Sequence, residues 1–132
     1  KFHFTTELSI RISDVNYANH LGNDAVLSLI HEARIRFLKS LGYSEMDVEG
    51  VGIMVADALI IYKSQGFHGD TLVVDIAVEE PFRVGCVLYY RLSNKESGKE
   101  VARCRTAIVF FNFQTQELAR IPSAFLKALK EL

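Results

Sequence analysis

The feature that constrains the fold most is a single long amphipathic helix, predicted from about Asn23 to Leu41. Its apolar residues recur at spacings of three or four, which places them on one helix face. That stripe and the residues that widen it are Val26, Ile30, Ala33, Phe37 and Leu41, with Leu27, Leu29 and Leu38. An apolar arc this wide predicts a helix enclosed by a curved surface, because a flat surface would cover only a narrow stripe.

Residue types that begin and end helices mark the two ends of this segment. Asn23 is the expected N-cap, and Asp24 suits the positive end of the helix dipole. Gly42 suits the C′ position, where the backbone adopts a left-handed conformation.

The rest of the sequence is mostly strand-like, which predicts an α+β domain. Alternating apolar and polar residues between Phe2 and Ile12 indicate a half-buried first strand. Four further strands are predicted at residues 51–62, 71–78, 84–92 and 101–113. Pro122 then opens a short C-terminal helix with Phe125, Leu129 and Leu132 facing inward. This order of elements predicts a five-stranded antiparallel sheet curled around the one long helix.

Length and charge restrict the class of protein. A chain of 132 residues has the length of one domain, so we expect a single domain over residues 1–132. The 15 Lys and Arg residues nearly balance the 16 Asp and Glu residues, which argues against nucleic-acid binding. The longest apolar run, from Ala107 to Phe111, is too short to span a membrane. We therefore expect a soluble cytoplasmic protein in which Cys86 and Cys104 are buried and reduced.

The second face of the sheet is also apolar, which predicts self-association. Residues in the register opposite the expected core face are Val73, Ala77, Val87, Tyr89 and Val109. One helix can cover only one face, so the other face needs a second surface. We expect a homo-oligomer.

The candidate chemistry lies in the loop before the helix. No metal-binding, phosphate-loop or serine-nucleophile motif is present, so we expect no metal site. Asp14, Asn16, Asn19, His20 and Asn23 crowd into ten residues next to a helix N-terminus, whose backbone N–H groups can stabilise an oxyanion. The alternative is that these side chains only satisfy the loop backbone and cap the helix.

Two segments resemble the signature of hotdog-fold thioesterases, closest to the 4-hydroxybenzoyl-CoA thioesterase-like group. Residues 11–23, RISDVNYANHLGN, followed by the helical segment IHEAR at 30–34, resemble the pattern R-x-S-D-x-D-x-x-G-H-V-N-N and E-A-R. Residues 62–72, YKSQGFHGDTL, are similar to Y-x-x-P-A-x-x-G-D-x-L. The resemblance covers nearly the whole chain.

This resemblance implies a sheet wrapped around the central helix, in dimers that often pair into tetramers. It also implies hydrolysis of acyl-CoA or acyl-carrier-protein thioesters without a metal or an organic cofactor. The thioester carbonyl would face backbone N–H groups near the subunit interface, and the second Asp of D-x-D would serve as nucleophile or general base.

The chain departs from the family pattern at the catalytic position. Asp14 matches the first Asp, but Asn16 stands where the second is expected, and an amide cannot act as a general base. The family's Gly falls on Asn19, and His20 matches its His. We therefore expect Asn16 to position water or substrate and Asp14 or His20 to transfer the proton. Gly22, which stands at the first Asn of the family's pair, and Asn19 and Asn23 are predicted to line the substrate site.

Other candidates lie further along the chain. Glu32 is about two and a half turns beyond Asn23, so it either reaches substrate or pairs with Arg36. Arg103 and Arg105 share one face of a strand and are candidates to bind the phosphates of CoA. The alternative is that both are solvated surface charges.

Three functional hypotheses follow. The first is an acyl-CoA thioesterase, and the second is a non-catalytic acyl-thioester binding module on the same fold, suggested by Asn16. The third is a hotdog dehydratase or hydratase, which ranks last because His20 and Glu32 do not match the arrangement expected of that group.

Overall fold

The computed structural model describes all residues from Lys1 to Leu132 and contains six strands and two helices. In chain order these are β1 (Phe4–Ser9), α1 (Asn23–Ser40), β2 (Gly52–Tyr62), β3 (Thr71–Phe82), β4 (Gly85–Asn94), β5 (Glu100–Asn112), β6 (Glu117–Ala119) and α2 (Ser123–Lys130). All strand pairs are antiparallel, in the order β1-β3-β4-β5-β2, with β6 paired to the end of β5. Neither helix is both long and apolar enough to cross a membrane.

The sheet curls around α1, as the wide apolar arc predicted. The buried apolar residues of α1 are Val26, Leu29, Ile30, Ala33, Phe37 and Leu38. They pack into a core of 26 buried residues that draws on both helices and on β1 to β5. Burying a side chain such as Phe37 contributes roughly 2–3 kcal/mol. The predicted hotdog architecture is confirmed, although Leu27 is 47% exposed because the sheet encloses only one side of the helix.

The N-terminus of α1 differs from the prediction by one residue. Gly22, not Asn23, is the N-cap, and its backbone is extended, with φ −72° and ψ 149°. The Gly22 N–H donates to the Asp14 carbonyl oxygen at 2.8 Å, which fixes this position. A Cβ at Gly22 would lie only 2.8 Å from Oδ1 of Asp24, so a larger residue would require the Asp24 side chain to move. Gly42 has φ +84°, which confirms its predicted place after the helix.

The first strand is shorter than the alternation suggested. A single 3₁₀ turn at Ile12–Asp14 replaces its predicted end, so Ile12 is 66% exposed. Phe2 precedes β1 and is 39% exposed. The inward residues Leu8 and Ile10 are buried, as expected from the period of two.

Two details at the C-terminal end also differ. The short strand β6 makes the sheet six-stranded instead of five-stranded. In α2, Phe125 and Leu129 are buried as predicted, but Leu132 is 47% exposed because the helix ends at Lys130.

The two cysteines are buried and free. Cys86 lies opposite Ile108 and Cys104 lies opposite Tyr90, so the two thiols are out of register across β4 and β5. Burial raises the pKa of each thiol to about 12, which keeps both protonated at neutral pH.

Exposed apolar surface is concentrated on β2 and not on the outward face of the central strands. Of the residues predicted to need a partner, Ala77 and Val87 are already buried in the single chain. β2 is a sheet edge whose outer side has no neighbouring strand. Its exposed apolar side chains, each between 44% and 55% exposed, are Met54, Val55, Leu59, Ile61 and Tyr62. A long apolar edge of this kind is a surface for pairing with another chain.

Candidate active site

Asn16 folds the loop of residues 11–22 back on itself. Its side-chain Oδ1 accepts hydrogen bonds from the backbone N–H of Ala18 at 3.0 Å and of His20 at 3.2 Å. Its own backbone N–H donates to the His20 carbonyl at 2.8 Å. Asn19 occupies the left-handed region with φ +67°, which Asn tolerates better than most residues, and this explains an Asn where the family pattern has Gly. The amide oxygen of Asn16 is therefore committed to the loop, and its NH₂ group is not.

Asp14 is bound to its neighbour Arg11 and not directed at solvent. Its carboxylate is buried and accepts hydrogen bonds from the Arg11 backbone N–H at 2.8 Å and from the guanidinium at 3.1 and 3.2 Å. Burial alone would raise the pKa of Asp14, but the hydrogen bonds and charge of Arg11 outweigh it and hold that pKa below its ordinary value. This geometry gives Asp14 a part in holding the loop.

His20 is positioned by packing, while its ring nitrogens form no hydrogen bond within the protein. The ring is half-buried and meets the Phe67 ring edge-on, with centroids 5.1 Å apart. The adjacent Leu21 N–H donates to the Gly66 carbonyl at 2.7 Å, which joins the loop to the segment after β2. His20 therefore has a fixed place, and its ring nitrogens are left to bond a water molecule or a ligand.

The N-terminus of α1 is open. No side chain caps it, and of its first backbone amides only that of Ala25 is bonded, to the Gly22 carbonyl at 3.1 Å. The N–H groups of Asn23 and Asp24 have no partner in the protein. The Tyr62 hydroxyl donates to the Asn23 carbonyl at 2.9 Å and so ties the first turn to the end of β2. Unpaired amides at a helix N-terminus favour a negatively charged ligand atom.

These features meet in one groove of about 350 Å³. The residues that line this site groove are Asn16, His20, Leu21, Asn23, Tyr62, Lys63, Ser64 and Gln65. The loop and the segment after β2 thus bring together three predicted site residues, Asn16, His20 and Asn23.

The other predicted residues of the loop lie outside the groove lining. Asp14 and Gly22 are buried behind it, and Asn19 is exposed at the tip of the turn. They shape the loop that carries Asn16 and His20.

Glu32 lies on a different side of α1. Its carboxylate accepts a hydrogen bond from Arg36 Nε at 2.9 Å, which is the pairing considered as the alternative to substrate binding. Arg36 also donates to the Thr6 hydroxyl of β1 at 3.0 Å, and β1 is the sheet edge opposite β2. Glu32 is therefore separated from the site groove.

Arg103 and Arg105 lie on the outward face of the sheet, because they alternate with buried residues of β5. Each already has a carboxylate partner: Arg103 Nε lies 2.6 Å from Glu100, and Arg105 Nη1 lies 3.1 Å from Asp57. They line a hollow of about 400 Å³ on that face, away from the site groove. Their predicted contact with CoA phosphates has no support in this arrangement of a single chain.

A second polar cluster on α1, the Arg34 network, was not predicted from the sequence. The buried Arg34 donates through Nε to Glu45 at 2.8 Å and through Nη1 to the Tyr90 hydroxyl at 3.1 Å. His31 bonds the other Glu45 oxygen at 2.7 Å, and the Tyr90 hydroxyl bonds Thr106 at 2.9 Å. The only signal in the sequence is a charged residue inside the apolar stripe of the helix.

Charge pairing sets the ionisation of the Arg34 network. Burial alone would lower the pKa of Arg34, but its contacts with Tyr90 and Glu45 outweigh burial. Burial alone would raise the pKa of Glu45, but its contacts with Arg34 and His31 outweigh burial. The pKa of Arg34 is thus raised and that of Glu45 lowered, so both remain charged. No buried side-chain nitrogen or oxygen in the protein lacks a hydrogen-bond partner.

The sequence did not predict Tyr62, Ser64 and Gln65 as residues of the site groove. The similarity of residues 62–72 to the second family motif was the signal that could have assigned them to the site. No group of three or more His, Cys, Asp or Glu residues is arranged to hold a metal ion.

Comparison with known proteins agrees with this architecture. The sequence profile of the thioesterase-like superfamily matches residues 10–129. A 1,4-dihydroxy-2-naphthoyl-CoA thioesterase from Synechocystis superposes with a TM-score of 0.87 at 23% identity, covering 98% of this chain and 96% of that one. No curated protein sequence gives a significant match.

Two further solved structures extend the comparison. DHNA-CoA thioesterase from Staphylococcus aureus has a TM-score of 0.84 at 22% identity, covering 96% of this chain and 88% of that one. The 12:0-ACP thioesterase from Umbellularia californica has a TM-score of 0.80 at 20% identity, covering 97% of this chain and 52% of that one. Together with the profile match over most of its length, these similarities show that the chain is a hotdog-fold protein and belongs to the thioesterase-like superfamily.

Proposed function

We propose that the protein hydrolyses an acyl thioester, carried by CoA or by an acyl-carrier protein, to a free acid and a thiol. The observation that carries this proposal is the uncapped N-terminus of α1, whose first residue, Asn23, lines the site groove together with His20. Had side chains of the protein capped that terminus, no group would remain there to stabilise the oxyanion of thioester hydrolysis.

The chemistry follows from what each group can donate or accept. The thioester carbonyl oxygen accepts hydrogen bonds from the backbone N–H groups of Asn23 and Asp24, which stabilise the negative charge that develops on it. His20 takes a proton from a water molecule as the water oxygen attacks the carbonyl carbon. The carbon–sulfur bond then breaks, and His20 returns the proton to the departing thiolate. The NH₂ group of Asn16 donates to the water or to the substrate and so orients it.

We also propose that two copies of the chain complete the site. The exposed apolar edge of β2 ends at Tyr62, which lines the site groove and holds the first turn of α1. Pairing of β2 with the same strand of a second copy would cover that edge and would add a second wall to the groove.

The substrate class is inferred from relatives and from the groove. Among the similar structures are thioesterases named for aromatic CoA substrates and one named for 12:0-ACP. The proposal is therefore tested with aliphatic and aromatic acyl-CoA thioesters and with acyl-carrier-protein thioesters, by following release of the free thiol.

Position 16 offers the sharpest variant. In Asn16→Asp the carboxylate keeps both backbone hydrogen bonds of the loop and adds a base, so we expect kcat to rise roughly tenfold. Asn16→Ala, the matched control, removes the two bonds and should lower both kcat and the melting temperature. Acyl-CoA binding without turnover, in the natural chain and in Asn16→Asp alike, would contradict hydrolysis and favour the non-catalytic binding module.

A further inference from the structure

A second hollow adjoins the site groove and continues away from the helix. It measures about 430 Å³ and is lined by Lys63, Ser64, Gln65, Phe67, Asp70, Asn94, Ser97, Lys99 and Val101. Lys63, Ser64 and Gln65 line both the hollow and the site groove. A long ligand whose reacting end lies in the groove can therefore extend into this hollow, which we call the lysine hollow.

The lysine hollow is mainly polar and holds two cations that form no salt bridge. Lys63 and Lys99 are exposed and have no carboxylate within salt-bridge distance, whereas Arg91, Arg103 and Arg105 on the sheet are all paired. The one carboxylate of the lining, Asp70, accepts a hydrogen bond from the Phe67 N–H at 3.0 Å.

Side-chain amides add hydrogen-bond donors to these cations. Asn94 Oδ1 accepts from the backbone N–H groups of Glu96 and Ser97, so its NH₂ group is left to donate. The Gln65 side chain forms no hydrogen bond within the protein. Unpaired ammonium groups with amide donors nearby are suited to phosphate oxygens.

The hollow is long enough for the arm that carries an acyl thioester. Backbone hydrogen bonds join the His20 loop to Gly66, Lys63 to Val101, and Asn94 to Lys99. The segment of Lys63 therefore lies one strand spacing from the His20 loop, the segment that follows Lys99 lies two spacings away, and Asn94 lies three spacings away, or about 14 Å. An extended pantetheine arm is roughly 15 Å from sulfur to phosphorus, judged from ordinary bond lengths, so its phosphate can reach the far end of the hollow.

We propose that the lysine hollow binds the phosphate-bearing end of the carrier arm, with Lys63 and Lys99 as its cations. This inference rests on the proposed thioesterase function, because it assumes that the thioester lies in the site groove. CoA and acyl-carrier protein both attach pantetheine through a phosphate, so the shared chemistry is a phosphate ester of pantetheine.

The test compares substrates with and without phosphate. Lys99→Gln changes the cation of the lysine hollow that does not line the site groove, and it should raise KM for an acyl-CoA about threefold with kcat unchanged, since one exposed charge contact is lost. KM for the same acyl group on N-acetylcysteamine, which has no phosphate, should not change. Lys127→Gln in α2 is the matched control, with the same change in net charge and no expected effect.

Comparison of acyl-CoA with acyl-carrier protein identifies which carrier supplies the phosphate. A rise in KM with acyl-CoA but not with acyl-carrier protein would identify CoA as the carrier, and the reverse result would identify the carrier protein. An equal change with the N-acetylcysteamine thioester, or no change with either carrier, would overturn the proposal.

Calorimetric titration of free CoA separates this proposal from the proposed function. If no thioester is hydrolysed but Lys99→Gln binds free CoA about threefold more weakly than the natural chain, the hydrolase proposal fails and the lysine hollow proposal stands. If thioesters are hydrolysed and both proteins bind free CoA equally, with KM values also equal, the lysine hollow proposal fails and the hydrolase proposal stands.

Discussion

Two polar clusters on the same helix differ in how completely their hydrogen bonds are formed. In the Arg34 network, the charged and hydroxyl groups of Arg34, Glu45 and Tyr90 are all paired. At the N-terminus of α1, the backbone N–H groups of Asn23 and Asp24 form no hydrogen bond within the protein, and neither do the ring nitrogens of His20. Buried polar groups without partners are costly, so the first cluster must be complete for the protein to fold. The second faces a groove, and its unpaired groups are available for a ligand.

The largest expected effect on stability lies in the Arg34 network. Arg34→Met leaves Glu45 and Tyr90 without their buried partner and should lower the free energy of unfolding by about 3 kcal/mol. Arg36→Met removes an exposed ion pair with Glu32 and exposed hydrogen bonds to Thr6 and Glu7, and should cost about 1 kcal/mol. Urea denaturation measures both. Equal losses of unfolding free energy in the two variants would show that the Arg34 network stabilises the fold no more than exposed contacts do.

His20 of the site groove and His31 of the Arg34 network test whether the two clusters differ in their effect on activity. His20→Gln should lower kcat about 100-fold, roughly 2.7 kcal/mol in activation free energy, because glutamine cannot take the proton from water. The melting temperature should change little, since His20 contributes no side-chain hydrogen bond.

His31→Gln is the control for that comparison. Glutamine can still donate to Glu45, so we expect normal turnover and a small change in stability. Similar rates for His20→Gln and the natural chain would remove His20 from the mechanism.

The smallest effect concerns Asp14 and depends on pH. Its pKa in the folded protein lies below the ordinary 3.8, so its pairing with Arg11 stabilises the fold above about pH 4. That stabilisation is lost as the pH falls through the lowered pKa. Asp14→Asn should therefore be less stable than the natural chain by about 1 kcal/mol at pH 7, with the difference shrinking below pH 4. A difference in unfolding free energy that is constant from pH 7 to pH 3 would contradict this assignment.

The fold could be predicted from the sequence because its signals are periodic. The apolar arc of α1 and the alternation within the strands each specify which side chains face the core. The ends of elements were less predictable, since local contacts decide them: the Gly22 N–H bonds the Asp14 carbonyl and moves the cap by one residue.

The candidate site could be predicted only in part. The motif placed Asn16, His20 and Asn23 in one loop, and all three line the site groove. Alternation put Arg103 and Arg105 on the face opposite the core, together with Val109, but it could not show that Glu100 and Asp57 pair with them. The Arg34 network depends on Glu45 and Tyr90, which are distant in sequence and meet the helix only after folding.

The orientation of the Asn16 amide changes the electrical character of the position that the family pattern reserves for a carboxylate. Because Oδ1 faces the backbone of the loop, the end of the side chain left for a ligand carries partial positive charge. An aspartate would present carboxylate lone pairs there, which can accept a proton from water. In this chain the same place attracts electron-rich atoms, so a substitution that barely alters shape has reversed the sign of the field that a ligand meets.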